Sequence, residues 1–123
     1  GNFYPEGQYS LGQDGKFWSV VYALTGTINT SDRNAKNSIS YNFDYFEPFF
    51  DSLKPASFKM NDGTSGRTHV GFISQDVEES LYANGLDSLD FAGFIKSPVE
   101  DDDGNITSYN YALRYSEFIS SLR

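Results

Sequence analysis

The sequence predicts an α+β domain, with short strands and hairpins packed with two or three helices. Three observations lead there. Runs rich in β-branched and aromatic residues are short and end at Gly, Asn or Asp. Apolar residues fall at helical spacing in only a few stretches. Aromatics make up 17% of the chain, with 11 Phe and 9 Tyr, far more than a disordered chain would carry.

The elements follow in order. Gly1 to Lys16 is polar and turn-rich, with Pro5 and four glycines, and reads as the end of something larger. Phe17 to Ala23 reads as a strand, and Thr27 to Thr30 as a second short extended piece. Ser31 to Asn37 is a polar break. From Tyr41 to Leu53, apolar residues at 43, 46, 49, 50 and 53 have helical spacing, with Pro48 marking either a helix start or a kink. Ala56 to Met60 and Thr68 to Ile73 form a hairpin around Asn61 to Gly66. Gln75 to Tyr82 is a short helix, with Val77 and Leu81 four apart and Asn84-Gly85 as its stop. Leu89 to Lys96 is a strand. Val99-Glu100 and Ile106 to Tyr111 flank a hairpin tip at Asp101 to Asn105. Tyr115 to Leu122 is a final helix with Tyr115, Phe118, Ile119 and Leu122 on one face.

Composition excludes several functions. A formal net charge of -8 is the wrong sign for a nucleic-acid backbone or an anionic membrane surface. No apolar run approaches the roughly 18 residues of a membrane span. With no Cys there is no disulfide, no thiolate nucleophile and no Cys-based zinc site. His69 is the single histidine and reads as a packed strand residue. Asp101-Asp102-Asp103-Gly104-Asn105 fails the calcium-loop spacing and reads as a solvated tip. Glu47, Glu78 and Glu79 read as surface carboxylates. No cofactor is expected.

The polar break holds the one pair with catalytic possibilities. Ser31 and Lys36 are five residues apart. On a helix that offset separates side chains by about 140°, and on a strand it puts them on opposite faces. They meet only if Asp32-Arg33-Asn34 reverses the chain, and those residues favour turns. A solvated lysine is protonated near neutral pH and is a poor base, so burial or a nearby cation must help it take a serine proton. On residue chemistry alone, Ser31 as a turn or N-cap residue and Lys36 as a surface lysine is the simpler reading.

Motif order changes that balance. The run WSVVYALTGTINTSDRNAKNSI contains Thr27, Asn29, Thr30, Ser31, Asp32, Lys36 and Ile39. It resembles the start of the intramolecular chaperone auto-processing domain found at the C-terminus of phage tail fibres, tailspikes, endosialidases and neck appendages. Three further blocks resemble that family in the same order. They are Leu53-Lys54-Pro55 with Phe58-Lys59, then Arg67-Thr68-His69-Val70-Gly71-Phe72-Ile73-Ser74-Gln75-Asp76-Val77, then Tyr111 to Ile119. Two positions depart from the pattern: Ala35 stands where a larger aliphatic residue is usual, and Ser74 where alanine is commoner.

The resemblance implies a homotrimer that helps the upstream fibre region of the same polypeptide to fold. The chaperone then cuts itself away at the Thr30-Ser31 bond. By the same resemblance Ser31 is the nucleophile and Lys36 the general base, with Asp32 and His69 in accessory roles. Residues 1–30 would be the end of the upstream fibre or appendage. Residues 31–123 would be the chaperone, its helical stalk cut short at the C-terminus. The virion precursor would assemble in the host cytoplasm and the chaperone would be absent from the mature virion. Two other readings stand beside this one: a trimerisation and folding module that does not cut, and a receptor-binding fibre tip.

Overall fold

The Asn-, Asp- and Ser-rich junctions foreseen in the sequence cut the chain into short elements, as seen in a computed structural model. It describes residues 1–13, 16–18, 21–22, 31–62 and 66–119. The chain divides into two compact units, Gly1–Ile39 and Ser40–Arg123.

In the first unit, Gln13 and Lys16 exchange backbone hydrogen bonds of 3.2 and 2.9 Å. Gly12 precedes this pair at φ 88°, a conformation that suits glycine. Of the strand expected at Phe17 to Ala23, the described residues 17–18 and 21–22 lie in no strand. Phe17, Trp18 and Tyr22 are exposed, and no ladder partner stands beside them among the described residues to hold them extended. The extended piece expected at Thr27 to Thr30 lies outside the described residues. A single 3-10 turn, Arg33–Ala35, follows.

The second unit has α+β architecture. Helix α1 spans Glu47–Ser52, and strands β1 (Ala56–Phe58) and β2 (His69–Gly71) form an antiparallel pair. Helix α2 spans Ser74–Ala83, β3 (Phe94–Glu100) pairs antiparallel with β4 (Ile106–Leu113), and α3 covers Ser116–Ile119. Helix α1 is shorter than its apolar spacing suggested. Pro48 sits in its first turn, where a missing N–H costs nothing, so it marks a start rather than a kink. Before it, Asn42 Oδ1 accepts from the Asp44 amide at 3.0 Å and turns the chain, yet Phe43 still stacks on Phe50 at 5.5 Å. Strand β3 begins later than Leu89. Asp87 Oδ1 accepts from the Leu89 amide and Asp90 Oδ2 from the Asp87 amide, each at 2.8 Å, and this side-chain-locked turn displaces a strand there. At the β3–β4 tip, Asp101 Oδ1 accepts from the amides of Asp103 and Asn105, with Gly104 at φ 82°.

The core of this unit is mostly phenylalanine. Phe49, Val77, Leu81, Leu86, Phe91, Phe94 and Phe118 are buried together. Phe91 lies 5.3 Å from Phe49 and 5.2 Å from Phe118, both edge to face, the arrangement aromatic quadrupoles favour. Phe72 stacks on Phe118 at 5.3 Å. Tyr115 closes the far side: its hydroxyl donates to the Phe72 carbonyl and accepts from the Phe72 amide, each at 3.3 Å. A Cβ on Gly71 would come within 2.6 Å of that hydroxyl, which explains the glycine in the Arg67 to Val77 block.

One polar clamp joins α2 to the β3–β4 hairpin. Lys96 Nζ lies 2.9 Å from Glu78 Oε2 and 4.7 Å from the centre of the Tyr109 ring. The hydrogen bond to Glu78, then that to Tyr111, raises the Lys96 pKa well above its ordinary 10.5, against a smaller opposing effect of burial. A raised lysine pKa stabilises the fold fully below the unfolded value and loses that contribution only as pH rises past it.

Two outcomes follow from this packing. Phe49→Ala removes a fully buried ring and should destabilise the unit by about 3–5 kcal/mol, read from denaturant unfolding. Lys96→Met should lower the unfolding midpoint by the same margin from about pH 6 to about pH 9, because the clamp holds its proton throughout. A margin that shrinks steadily toward the alkaline end would contradict the clamp.

Candidate active site

The reversal that the five-residue offset required is present. Asp32, in extended conformation, caps the 3-10 turn: its Oδ1 accepts from the Asn34 amide at 2.9 Å. Its carbonyl accepts from the Ala35 amide at 3.1 Å, and the Arg33 carbonyl from the Lys36 amide at 3.1 Å. Asp is suited to this because its short carboxylate reaches an amide two residues on. The chain then leaves through Lys36 in extended conformation, and Ser38 takes a left-handed φ of 53°, rare for a residue with a Cβ.

The turn brings Ser31 and Lys36 together. Lys36 Nζ donates to Ser31 Oγ at 2.6 Å, and both side chains are exposed. At that distance a proton can pass between hydroxyl and amine whenever the lysine is neutral. The amides of Asn34, Ala35 and Lys36 are already engaged inside the turn, so they are removed from the choice of oxyanion donors. Thr30, on the other side of the expected scissile bond, lies outside the described residues. His69 belongs to the second unit. It is exposed in β2 opposite Phe58, its ring stacked on that of Phe58 at 5.8 Å and 14°. The sequence reading placed the reversal at Asp32-Arg33-Asn34 but stopped its polar break at Asn37, so it did not single out Ser38, which redirects the chain.

A family model described as the chaperone of endosialidase, of a family named among the peptidases, matches residues 31–86. Over those residues the chain is similar to the endosialidase chaperones. The match starts on Ser31 itself. Among curated proteins, the capsule-specific Depolymerase 1 of Klebsiella phage KP32 is 33% identical over 76 residues. That stretch is 58% of this chain and 9% of the depolymerase, so the chain spans a small part of that relative's length. Two solved structures share the fold. The C-terminal domain of the bacteriophage T5 L-shaped tail fibre, with its intramolecular chaperone domain, superposes with a TM-score of 0.71 at 21% identity. That match covers 95% of this chain and 34% of the fibre chain. An intramolecular chaperone crystal structure superposes with a TM-score of 0.58 at 23% identity, over 72% of this chain and 88% of its own. The resemblance to the chaperone family is therefore supported in sequence over residues 31–86, and the fold is shared with intramolecular chaperone structures.

The cap is open to direct test by amide hydrogen exchange. Asp32→Ala should speed exchange at the Asn34 amide several-fold, while Asp32→Asn, which keeps a side-chain acceptor, should leave it near the wild-type rate. Equal rates in all three proteins would show that the carboxylate does not hold the turn.

Proposed function

We propose that this chain is the C-terminal intramolecular chaperone of a phage fibre, tailspike or neck appendage protein. It promotes trimerisation and folding of the chain ahead of it. It is then released by autoproteolysis between Thr30 and Ser31, so that the precursor assembles in the host cytoplasm and the mature virion lacks the chaperone. The observation that carries this reading is the 2.6 Å approach of Lys36 Nζ to Ser31 Oγ. The family match beginning at Ser31 supports it. So does the T5 fibre superposition, which covers 95% of this chain.

The chemistry is compact. Neutral Lys36 takes the proton of Ser31 Oγ, and Oγ attacks the Thr30 carbonyl carbon through a five-membered ring. The Thr30–Ser31 C–N bond breaks as the amine of Ser31 takes up a proton, leaving Thr30 esterified to Oγ. Water then hydrolyses the ester, giving a Thr30 carboxylate and a free Ser31 amine. Nucleophile and electrophile are adjacent residues, so most of the orientational cost has been met by folding. Asp32 acts by holding the turn, and His69 keeps the accessory role implied by the family motif.

Exposure of both dyad side chains favours one alternative, a folding module that does not cut. Denaturing electrophoresis of the parent protein separates the two. The wild type should give two bands, and Ser31→Ala or Lys36→Ala a single full-length band. A parent that stays whole whichever residue stands at 31 would overturn the protease reading. Two bands from Lys36→Ala at the wild-type rate would remove Lys36 as the base.

A further inference from the structure

The end of α2 carries the one Asn-Gly pair of the sequence, Asn84-Gly85. Glycine at 85 serves the fold: it stands at φ 74°, just past the helix end, where a left-handed residue is needed. The same missing side chain lets a glycine amide nitrogen approach the side-chain carbon of the preceding asparagine. Here both reacting groups are tied. The Gly85 amide donates to the Tyr82 carbonyl at 3.1 Å. Asn84 Nδ2 donates to the Ser80 carbonyl at 2.8 Å and to Ser52 Oγ at 3.3 Å, and Ser52 Oγ donates to the Phe49 carbonyl at 2.7 Å. That chain of bonds joins the C-terminal end of α2 to that of α1, beside the buried ring of Phe49.

We infer that Asn84-Gly85 is a deamidation site that the native fold holds silent, and that its conversion unties α2 from α1. In the reaction the Gly85 amide nitrogen gives up its proton and bonds to Asn84 Cγ. The Cγ–Nδ2 bond breaks, ammonia leaves and a succinimide ring remains. Water opens the ring at either carbonyl, giving aspartate or isoaspartate. Ring closure needs the Gly85 bond to Tyr82 and the Nδ2 bonds to Ser80 and Ser52 to be released, so it proceeds only when the helix end opens.

The product cannot restore these contacts. A carboxylate at position 84 donates to neither Ser80 nor Ser52, and it places negative charge at the C-terminal end of α2, where the helix dipole disfavours it. Isoaspartate also adds a backbone atom ahead of Leu86, a buried core residue whose amide donates to the Leu81 carbonyl at 2.9 Å. A chain that lingers unfolded would thus acquire a lesion that weakens its later fold.

The test ages the full-length chain folded in buffer and unfolded in guanidinium chloride, at one mildly alkaline pH, and measures aspartate and isoaspartate at position 84 by peptide mapping. Conversion should be about tenfold or more slower in the folded protein, as expected for a reaction gated by local opening. Equal rates in the two states would overturn the protection. After dilution from denaturant, the aged wild type should unfold at a lower midpoint than fresh protein, whereas Asn84→Gln aged in parallel should keep its midpoint. An aged wild type with an unchanged midpoint despite full conversion would overturn the consequence for α1 and α2.

Discussion

The second unit depends on one constraint: short elements must share a single aromatic core. Among the described residues none of its helices is long enough to be stable alone, and two-stranded ribbons are marginal by themselves. Phe49 from α1, Val77 and Leu81 from α2, Phe91 ahead of β3, Phe94 at its start, and Phe118 from α3 bury one another. Large rings suit this arrangement because each contributes much apolar area from one backbone position. The polar ties then fix orientation around the rings: Tyr115 on the Phe72 backbone, Lys96 on Glu78, and Asn84 on Ser52.

The candidate site rests on a different kind of constraint, local and covalent. Ser31 and Lys36 meet because the intervening residues form one capped 3-10 turn. No distant element is needed for that meeting. For the proposed self-cleavage the arrangement would be economical, since the nucleophile would be joined to the bond it attacks. It also leaves both side chains exposed.

Much of this was legible in the residues, for identifiable reasons. Val77 and Leu81 four apart with an Asn-Gly stop defined α2 to within a residue at each end. The five-residue offset demanded a reversal at Asp32, and the turn is there. Other features were hidden by competing local chemistry. Leu89 to Lys96 read as a strand, but the two aspartates flanking Ser88-Leu89 close a turn first. The apolar spacing from Phe43 suggested a longer helix, but Asn42 and Pro48 confine it while Phe43 packs from outside. The Tyr115 latch joins residues 43 apart in sequence, a pairing no local pattern encodes. Aromatic content alone could not say that Phe17, Trp18 and Tyr22 would stand exposed.

The central claim is that this turn marks a self-cleavage point, and the identity of the released fragment tests it most directly. The parent protein is expressed, its products separated, and the N-terminal residue of the C-terminal fragment read by sequencing and intact mass. The account predicts a fragment beginning at Ser31 with a free amine. A fragment beginning at any other residue, or one whose start moves with added protease inhibitors, would contradict it.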